Sequence, residues 1–142
     1  MGTAEALDFA ADLCIRFEGF SPVEYLCPAG VKTIGYGTTT NYPVGPITEA
    51  QGRDLLYRDL SYVLPSVLAL CPVLDGFRLS AVLSWTYNLG VGRLRASTMR
   101  KRINEGDWES AAREMKRWNR ANGRILRGLV IRRQVEAELF LR

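Results

Sequence analysis

The chain has 142 residues, 47% hydrophobic and 24% charged, with a formal net charge of +4. That length suits one domain with a proper core, and the composition has no bias toward disorder. Histidine is absent from the sequence, which excludes Ser-His-Asp and Cys-His nucleophiles, histidine-ligated zinc and an imidazole general base, and leaves carboxylates and thiols as the first candidates for acid–base chemistry.

From Thr3 to Phe17 the apolar residues Ala6, Leu7, Ala10, Leu13, Cys14 and Phe17 recur at helical spacing. The spacing predicts a helix that ends at the Glu18-Gly19 step, before Pro22. Glu5, Asp8, Asp12 and Arg16 interrupt its apolar pattern, so it is not a signal-peptide core. The stretch from Ser21 to Gly45 changes character: it holds Pro22, Pro28 and Pro43, Gly30, Gly35 and Gly37, and the β-favouring pieces 31–34 and 38–40. A small hairpin sheet with tight turns is expected there.

Helical signals return at Thr48. Thr48-Glu49-Ala50-Gln51 is a capping box, followed by Leu55, Leu56, Leu60 and Val63 at helical spacing. The longest apolar stretch, residues 63–74, is broken by Pro65 and Pro72 and is far too short to span a membrane. Residues 77–89 carry a single charge, Arg78, which predicts a central helix buried on most sides and ended by Gly90-Val91-Gly92. Short helices are expected at 97–104 and, capped by Asp107, at 108–118, with a last helix from about 126 to 141. The order of elements is that of an α+β protein, mostly helical.

Charge is uneven along the chain. Residues 1–75 hold four basic and nine acidic side chains, and residues 76–142 hold fifteen basic and six acidic. Sixteen of the nineteen cations are Arg, which favours planar, bidentate contacts to carboxylate or phosphate. Such asymmetry suggests an anionic partner: nucleic acid, a membrane surface or an anionic cell wall. Neither a helix–turn–helix signal nor an RNA-type aromatic strand motif accompanies it, so no nucleic-acid partner is expected. Cys14, Cys27 and Cys71 are odd in number, widely spaced and without a CxxC pair. They do not form a disulfide scaffold, a single bridge stays open, and the pattern favours a reducing compartment.

The Gly-rich pieces 35–40 and 90–92 lack the third Gly or the preceding strand of a phosphate loop and are read as turns. Glu18 is the better candidate for chemistry. It follows Phe17 at the helix end and precedes Gly19-Phe20, and a carboxyl flanked by two aromatic rings suits desolvation and a general-acid role. Cys27 and Thr33 fall in the hairpin region, and a hairpin folded back over the helix end would line one cleft wall with all three.

Glu18, eight residues, Cys27, five residues, Thr33, then Ile34-Gly35-Tyr36-Gly37 resembles the signature of phage-type lysozymes, the endolysin muramidases. Tyr25 and Gly30 fall where that family favours Tyr and Gly. Residues 84–90 (SWTYNLG), 97–99 (STM) and 128–136 (GLVIRRQVE) resemble three further segments of the family, so the likeness runs from about residue 3 to 140. It implies a single lysozyme-like domain over 1–142. About 18–60 would form a small lobe with a hairpin sheet, 1–17 and 61–142 a larger helical lobe, and a sugar cleft would lie between them.

The implied activity is hydrolysis of the β-1,4 bond between N-acetylmuramic acid and N-acetylglucosamine in peptidoglycan, for host-cell lysis. Glu18 would be the general acid, Cys27 would serve the water or the developing oxocarbenium ion on the opposite face, and Thr33 would hold that water. Arg132, with Arg133 in reserve, would pair with Glu18; the alternative for Arg132 is an exposed pair with Glu136. Tyr25, Tyr87 and Asn88 are the substrate-binding candidates, against simple packing. Cys27 stands where Asp is commoner, and its thiol leaves three roles open: thiolate base or nucleophile, neutral shaper of the water site, or an ordinary small side chain. Thr38 stands where many relatives have His. The likeness implies a monomer without metal or cofactor and without stable membrane insertion, made in the host cytoplasm, released through a holin-type pore and acting on the wall in the periplasm. The alternatives are a lytic transglycosylase acting on the same bond and a catalytically inactive wall-binding module.

Overall fold

The computed structural model describes residues 1–40 and 45–142. Helix α1 (Thr3–Glu18) leads into an antiparallel sheet of β1 (Ser21–Leu26), β2 (Lys32–Gly35) and β3 (Thr38–Thr39), in that order. Tyr25 is opposite Thr33, and Thr33 is opposite Thr39, with an irregularity in β1 between Ser21 and Tyr25. The expected sheet is therefore present, but its first strand begins at Ser21, in a stretch whose Pro22 speaks against ladder pairing. Pro43 and the rest of 41–44, part of the stretch predicted as hairpin, lie outside the described residues.

Helix α2 (Glu49–Leu70) starts at the predicted capping box: the Gln51 N–H donates to Thr48 Oγ1 at 3.1 Å, and the Thr48 N–H donates to Gln51 Oε1 at 2.9 Å. It continues through Pro65. This helix joins the two parts of the fold, packing on β2 and β3 on one side and on α1 and α3 (Gly76–Leu89) on the other. Its Gly52 makes the sheet contact possible, because a Cβ there would sit 2.8 Å from Phe20 Cε1, and the Phe20 ring is itself packed on Tyr36 at 5.2 Å.

The central helix is as predicted: Leu79 to Thr86 are buried without a break in α3. The Ser80 hydroxyl donates to the Ala6 carbonyl at 2.8 Å, tying α3 to α1. Trp85 is fully buried, donates Nε1–H to the Met115 carbonyl at 3.3 Å and meets Trp118 edge-on at 5.5 Å. The Gly90-Val91-Gly92 stop is only partly right. Gly90, at φ +95°, ends α3, but Val91 already opens α4 (Val91–Ala96).

Then follow α5 (Thr98–Asn104), capped by Ser97, and α6 (Trp108–Lys116), capped by Asp107 and ending two residues before the expected Trp118. A short hairpin of β4 (Arg120–Ala121) and β5 (Arg124–Ile125), turning on Asn122 at φ +52° and Gly123 at φ +76°, comes next. It was not predicted. The last helix, α7 (Arg127–Phe140), packs on α3 and α6. All three cysteines are free, so the bridge left open does not form.

Overpacking a fitted core contact costs about 1–3 kcal/mol, more than the ~1 kcal/mol by which Ala exceeds Gly as a helix former. Gly52→Ala is therefore expected to lower Tm by about 2–6 °C in a thermal melt, because the Phe20 ring cannot retreat from Tyr36 without opening the sheet–α2 contact.

Candidate active site

Glu18 occupies the last position of α1, where Gly19 at φ +69° turns the chain toward the sheet. This puts the carboxyl at the junction of α1, the sheet and the C-terminal end of α3. A cleft of about 500 Å³ opens there, lined by Glu18, Tyr25, Cys27, Thr33, Tyr87 and Asn88, with Gly37 and Asp59 among the other walls. A smaller depression of about 290 Å³, lined by Phe17, Leu126, Leu129 and Arg132, shares Glu18 and Asn88 with it. All seven residues expected at a site thus border one or both of these adjoining spaces. Of the two rings expected to flank Glu18, only Phe17 lies beside it; Phe20 turns away onto Tyr36 and Gly52.

The two oxygens of Glu18 have different surroundings. Oε1 accepts from Arg132 Nη1 at 2.5 Å. A Cβ added to Gly37 would lie 3.4 Å from Oε2 and 3.2 Å from the Tyr87 hydroxyl, so the bare glycine leaves room between these two groups. Tyr87 is held by donating its O–H to the Tyr36 carbonyl at 2.9 Å. Burial pushes its phenol pKa up, with Asp59 and Glu18 adding to the shift, so it stays protonated.

Arg132 is buried, and all three of its nitrogens are engaged. Nε faces Glu136 Oε2 at 3.3 Å, and Nη2 reaches the Ser84 carbonyl at 3.2 Å and the Cys14 sulfur at 3.6 Å. Ser84 in turn donates to Glu136 Oε2 at 2.6 Å. The two alternatives considered for Arg132 are both realised: it pairs with Glu18 and with Glu136, and neither pair is an exposed one. Arg133 takes a different place, with Nη1 at 2.9 Å from Glu136 Oε1 and Nη2 bonded to the Asn88 carboxamide oxygen. Burial pushes the Arg133 pKa down to about 10, still charged at neutral pH, and raises that of Glu136 against the pull of Arg133 and Arg132.

Across the cleft, the Thr33 hydroxyl donates to the Val31 carbonyl at 3.0 Å. Backbone amides of Val31 and Ala29 point at the Cys27 sulfur and hold its pKa below the ordinary thiol value. The buried thiols go the other way: desolvation lifts Cys14 to about 12 and Cys71 to about 11. Cys27 is therefore the one of the three cysteines whose surroundings shift it toward the thiolate.

Sequence reasoning missed Asp59. On an amphipathic helix beside Arg58 it reads as part of a solvated face, and no motif marks it. In the structure it lines the cleft half-buried, with Arg58 at 3.6 Å and the Thr38 hydroxyl nearby. Burial raises its pKa, partly offset by Thr38 and Arg58. Ser84 and Cys14 were also missed as supports of Arg132, since a Ser and a Cys on buried helix faces carry no sign of the guanidinium they meet. Among the described residues no three of Cys, Asp and Glu gather as metal ligands, and no helix is long and apolar enough to cross a membrane.

The family model for phage lysozyme matches residues 15–136, which contain the whole site. The chain is 36% identical over 131 residues to an endolysin of Acyrthosiphon pisum secondary endosymbiont phage 1, covering 88% of this chain and 90% of that one. It is 35% identical over 135 residues to an endolysin of Bacillus phage B103, covering 92% of this chain but spanning only 51% of the relative's length. Among solved structures it is similar to the muramidase domain of SpmX from Asticaccaulis excentricus, with a TM-score of 0.85 and 29% identity over 94% of this chain and 95% of that one.

Two outcomes are expected from these environments. At neutral pH a colorimetric disulfide reagent should titrate Cys27 alone in the native chain, and all three thiols after unfolding. For Asp59, a folded-state pKa above the unfolded one means the native state holds the extra proton. Its contribution is then full below the ordinary carboxylate pKa and is lost as pH rises through the raised value. Asp59→Asn should accordingly raise Tm at pH 7 by about 1–3 °C and change it little at pH 4.

Proposed function

The chain belongs to the phage lysozyme family, and from that membership we propose that it is a peptidoglycan-cleaving lysis enzyme. Specifically, it is read as a muramidase hydrolysing the β-1,4 bond between N-acetylmuramic acid and N-acetylglucosamine. One observation carries this reading: Glu18 has one oxygen locked by a buried guanidinium and the other toward a cleft whose far wall holds Cys27 and Thr33.

In the proposed reaction the glycan lies along the cleft with the scissile oxygen at Glu18 Oε2. The protonated carboxyl gives its proton to the leaving oxygen as the glycosidic bond breaks, and Arg132 stabilises the carboxylate left behind. Cys27 faces the sugar from the other side. As a thiolate it takes a proton from the attacking water or meets the oxocarbenium carbon directly, while Thr33 holds the water through its free lone pairs. Tyr25, Tyr87 and Asn88 supply stacking surface and hydrogen bonds. The sheet with the first part of α2, about residues 18–60, serves as the small lobe over this cleft; residues 1–17 and 61–142 serve as the helical lobe. The Arg-rich second half suits an anionic wall polymer. The chain works as a monomer without a cofactor, is made in the host cytoplasm, reaches the wall through a holin-type pore and cleaves it in the periplasm.

A lytic transglycosylase needs one acid and no water nucleophile, and Cys27 in place of a second carboxylate favours it as the second reading. On permeabilised cells, Glu18→Gln should slow clearing by at least about 10²-fold. Cys27→Ser should keep the fold and lose most of the activity. Mass spectrometry of the released muropeptides separates the enzymes: reducing ends support the hydrolase, and 1,6-anhydro ends overturn it. Equal clearing by the native chain and Glu18→Gln removes Glu18 as the acid. No clearing by either favours the wall-binding module.

A further inference from the structure

Arg133 is wholly buried, yet its guanidinium goes to Glu136 and Asn88 and not to Glu18. Asn88 stands one residue before the end of α3 and borders both the cleft and the smaller depression, among the described residues the only one besides Glu18 in both linings. A guanidinium has donors only, so the carboxamide of Asn88 must present its oxygen to Arg133. Its NH₂ group is then the end left over, and among the described residues it has no hydrogen-bond partner. Turning the amide around would set NH₂ against the buried guanidinium, donor to donor. The ion pair with Glu136 and full burial hold Arg133 in place: Nη1 stands 2.9 Å from Glu136 Oε1 without a formed hydrogen bond, while Oε2 is taken up by Arg132 and Ser84.

We propose that Arg133 is a positioning residue that fixes the Asn88 carboxamide with its NH₂ group turned into the cleft beside Glu18, where it donates to the acetamido carbonyl of the bound sugar. The assignment rests on the muramidase reading, since it takes its ligand from that substrate. An N-acetylated sugar offers hydroxyl, ring and carbonyl oxygens, and the amide carbonyl is the strongest neutral acceptor among them. A fixed donor at this place also selects: it rewards a sugar that carries the acetyl group at the residue next to the scissile bond and leaves a deacetylated one without its partner.

The test is binding of soluble peptidoglycan fragments to the Glu18→Gln chain by titration calorimetry, at high salt so that an added charge is screened. Asn88→Asp in that background keeps an acceptor for Arg133 and removes the donor. It is expected to weaken fragment binding about 10-fold, the effect of one lost hydrogen bond, with Tm unchanged or higher. If Arg133 and Asn88 serve only to join α7 to α3, Asn88→Asp leaves binding unchanged, and the proposal is overturned. In the active chain Arg133→Gln, whose amide still donates to Asn88, should keep more of the native KM than Arg133→Met, while kcat moves less than KM in both. Equal KM for the two variants counts against positioning. Fragments that do not bind the Glu18→Gln chain at all overturn the muramidase reading, and this proposal with it. Binding that is present but indifferent to Asn88→Asp overturns the proposal alone. De-N-acetylated fragments should bind the Glu18→Gln chain more weakly, and Asn88→Asp should not weaken them further.

Discussion

The charge of Arg132 organises the molecule. A guanidinium buried to 3% exposure is costly to hold unless it is paired, and here Glu18, Glu136, the Ser84 carbonyl and the Cys14 sulfur engage all three of its nitrogens. These partners come from α1, α3 and α7. The three helices must therefore pack in one relation for the charge to be satisfied. The same relation sets the direction in which Glu18 points. A well-packed apolar replacement is often neutral or stabilising for a buried pair, so the value of this one lies in orientation more than in stability. The orientation of Glu18 and the packing of the helical part are one constraint.

The opposite wall is built on a different principle. Cys27 and Thr33 sit on a small sheet that owes its place to α2, through Gly52 against Phe20 and Tyr36. No ion pair joins Cys27 to the Arg132 network among the described residues. Backbone amides tune Cys27 where a single guanidinium, that of Arg132, holds Glu18. The two sides of the cleft are adjusted independently, so a change from carboxylate to thiol at Cys27 need not disturb Glu18. That separation is compatible with a thiol at position 27, where the family resemblance leads one to expect a carboxylate.

Much of this was legible in the sequence, and the exceptions have physical reasons. The capping box at Thr48, the buried run in α3 and the end of α1 at Glu18 are local signals, set by hydrogen bonds and periodicity within a few residues. The spacing of Glu18, Cys27 and Thr33 gave the cleft because a hairpin following a helix end returns over it. Asp59, Ser84 and Cys14 escaped notice because their roles depend on partners brought together by tertiary packing, and residue type alone does not announce a partner. Arg132 and Arg133 were distinguishable only as first choice and reserve. One residue's rotation along α7 gives them different neighbours, and sequence spacing across a 114-residue separation does not fix helix rotation. The β4–β5 hairpin is a different kind of omission. Asn122-Gly123 is a strong two-residue turn signal, but the strands it joins are too short to show an alternating pattern.

The distance along the chain between Glu18 and Arg132 has a consequence for timing. Synthesis delivers Glu18 early and Arg132 114 positions later, and closing so long a loop is among the last and least local events of folding. Until α7 docks, the carboxyl has no guanidinium to aim it. A chain still lacking α7 lacks that contact, whatever else of it is in place. The orientation of Glu18 is thus set only when the last helix of the chain is in place.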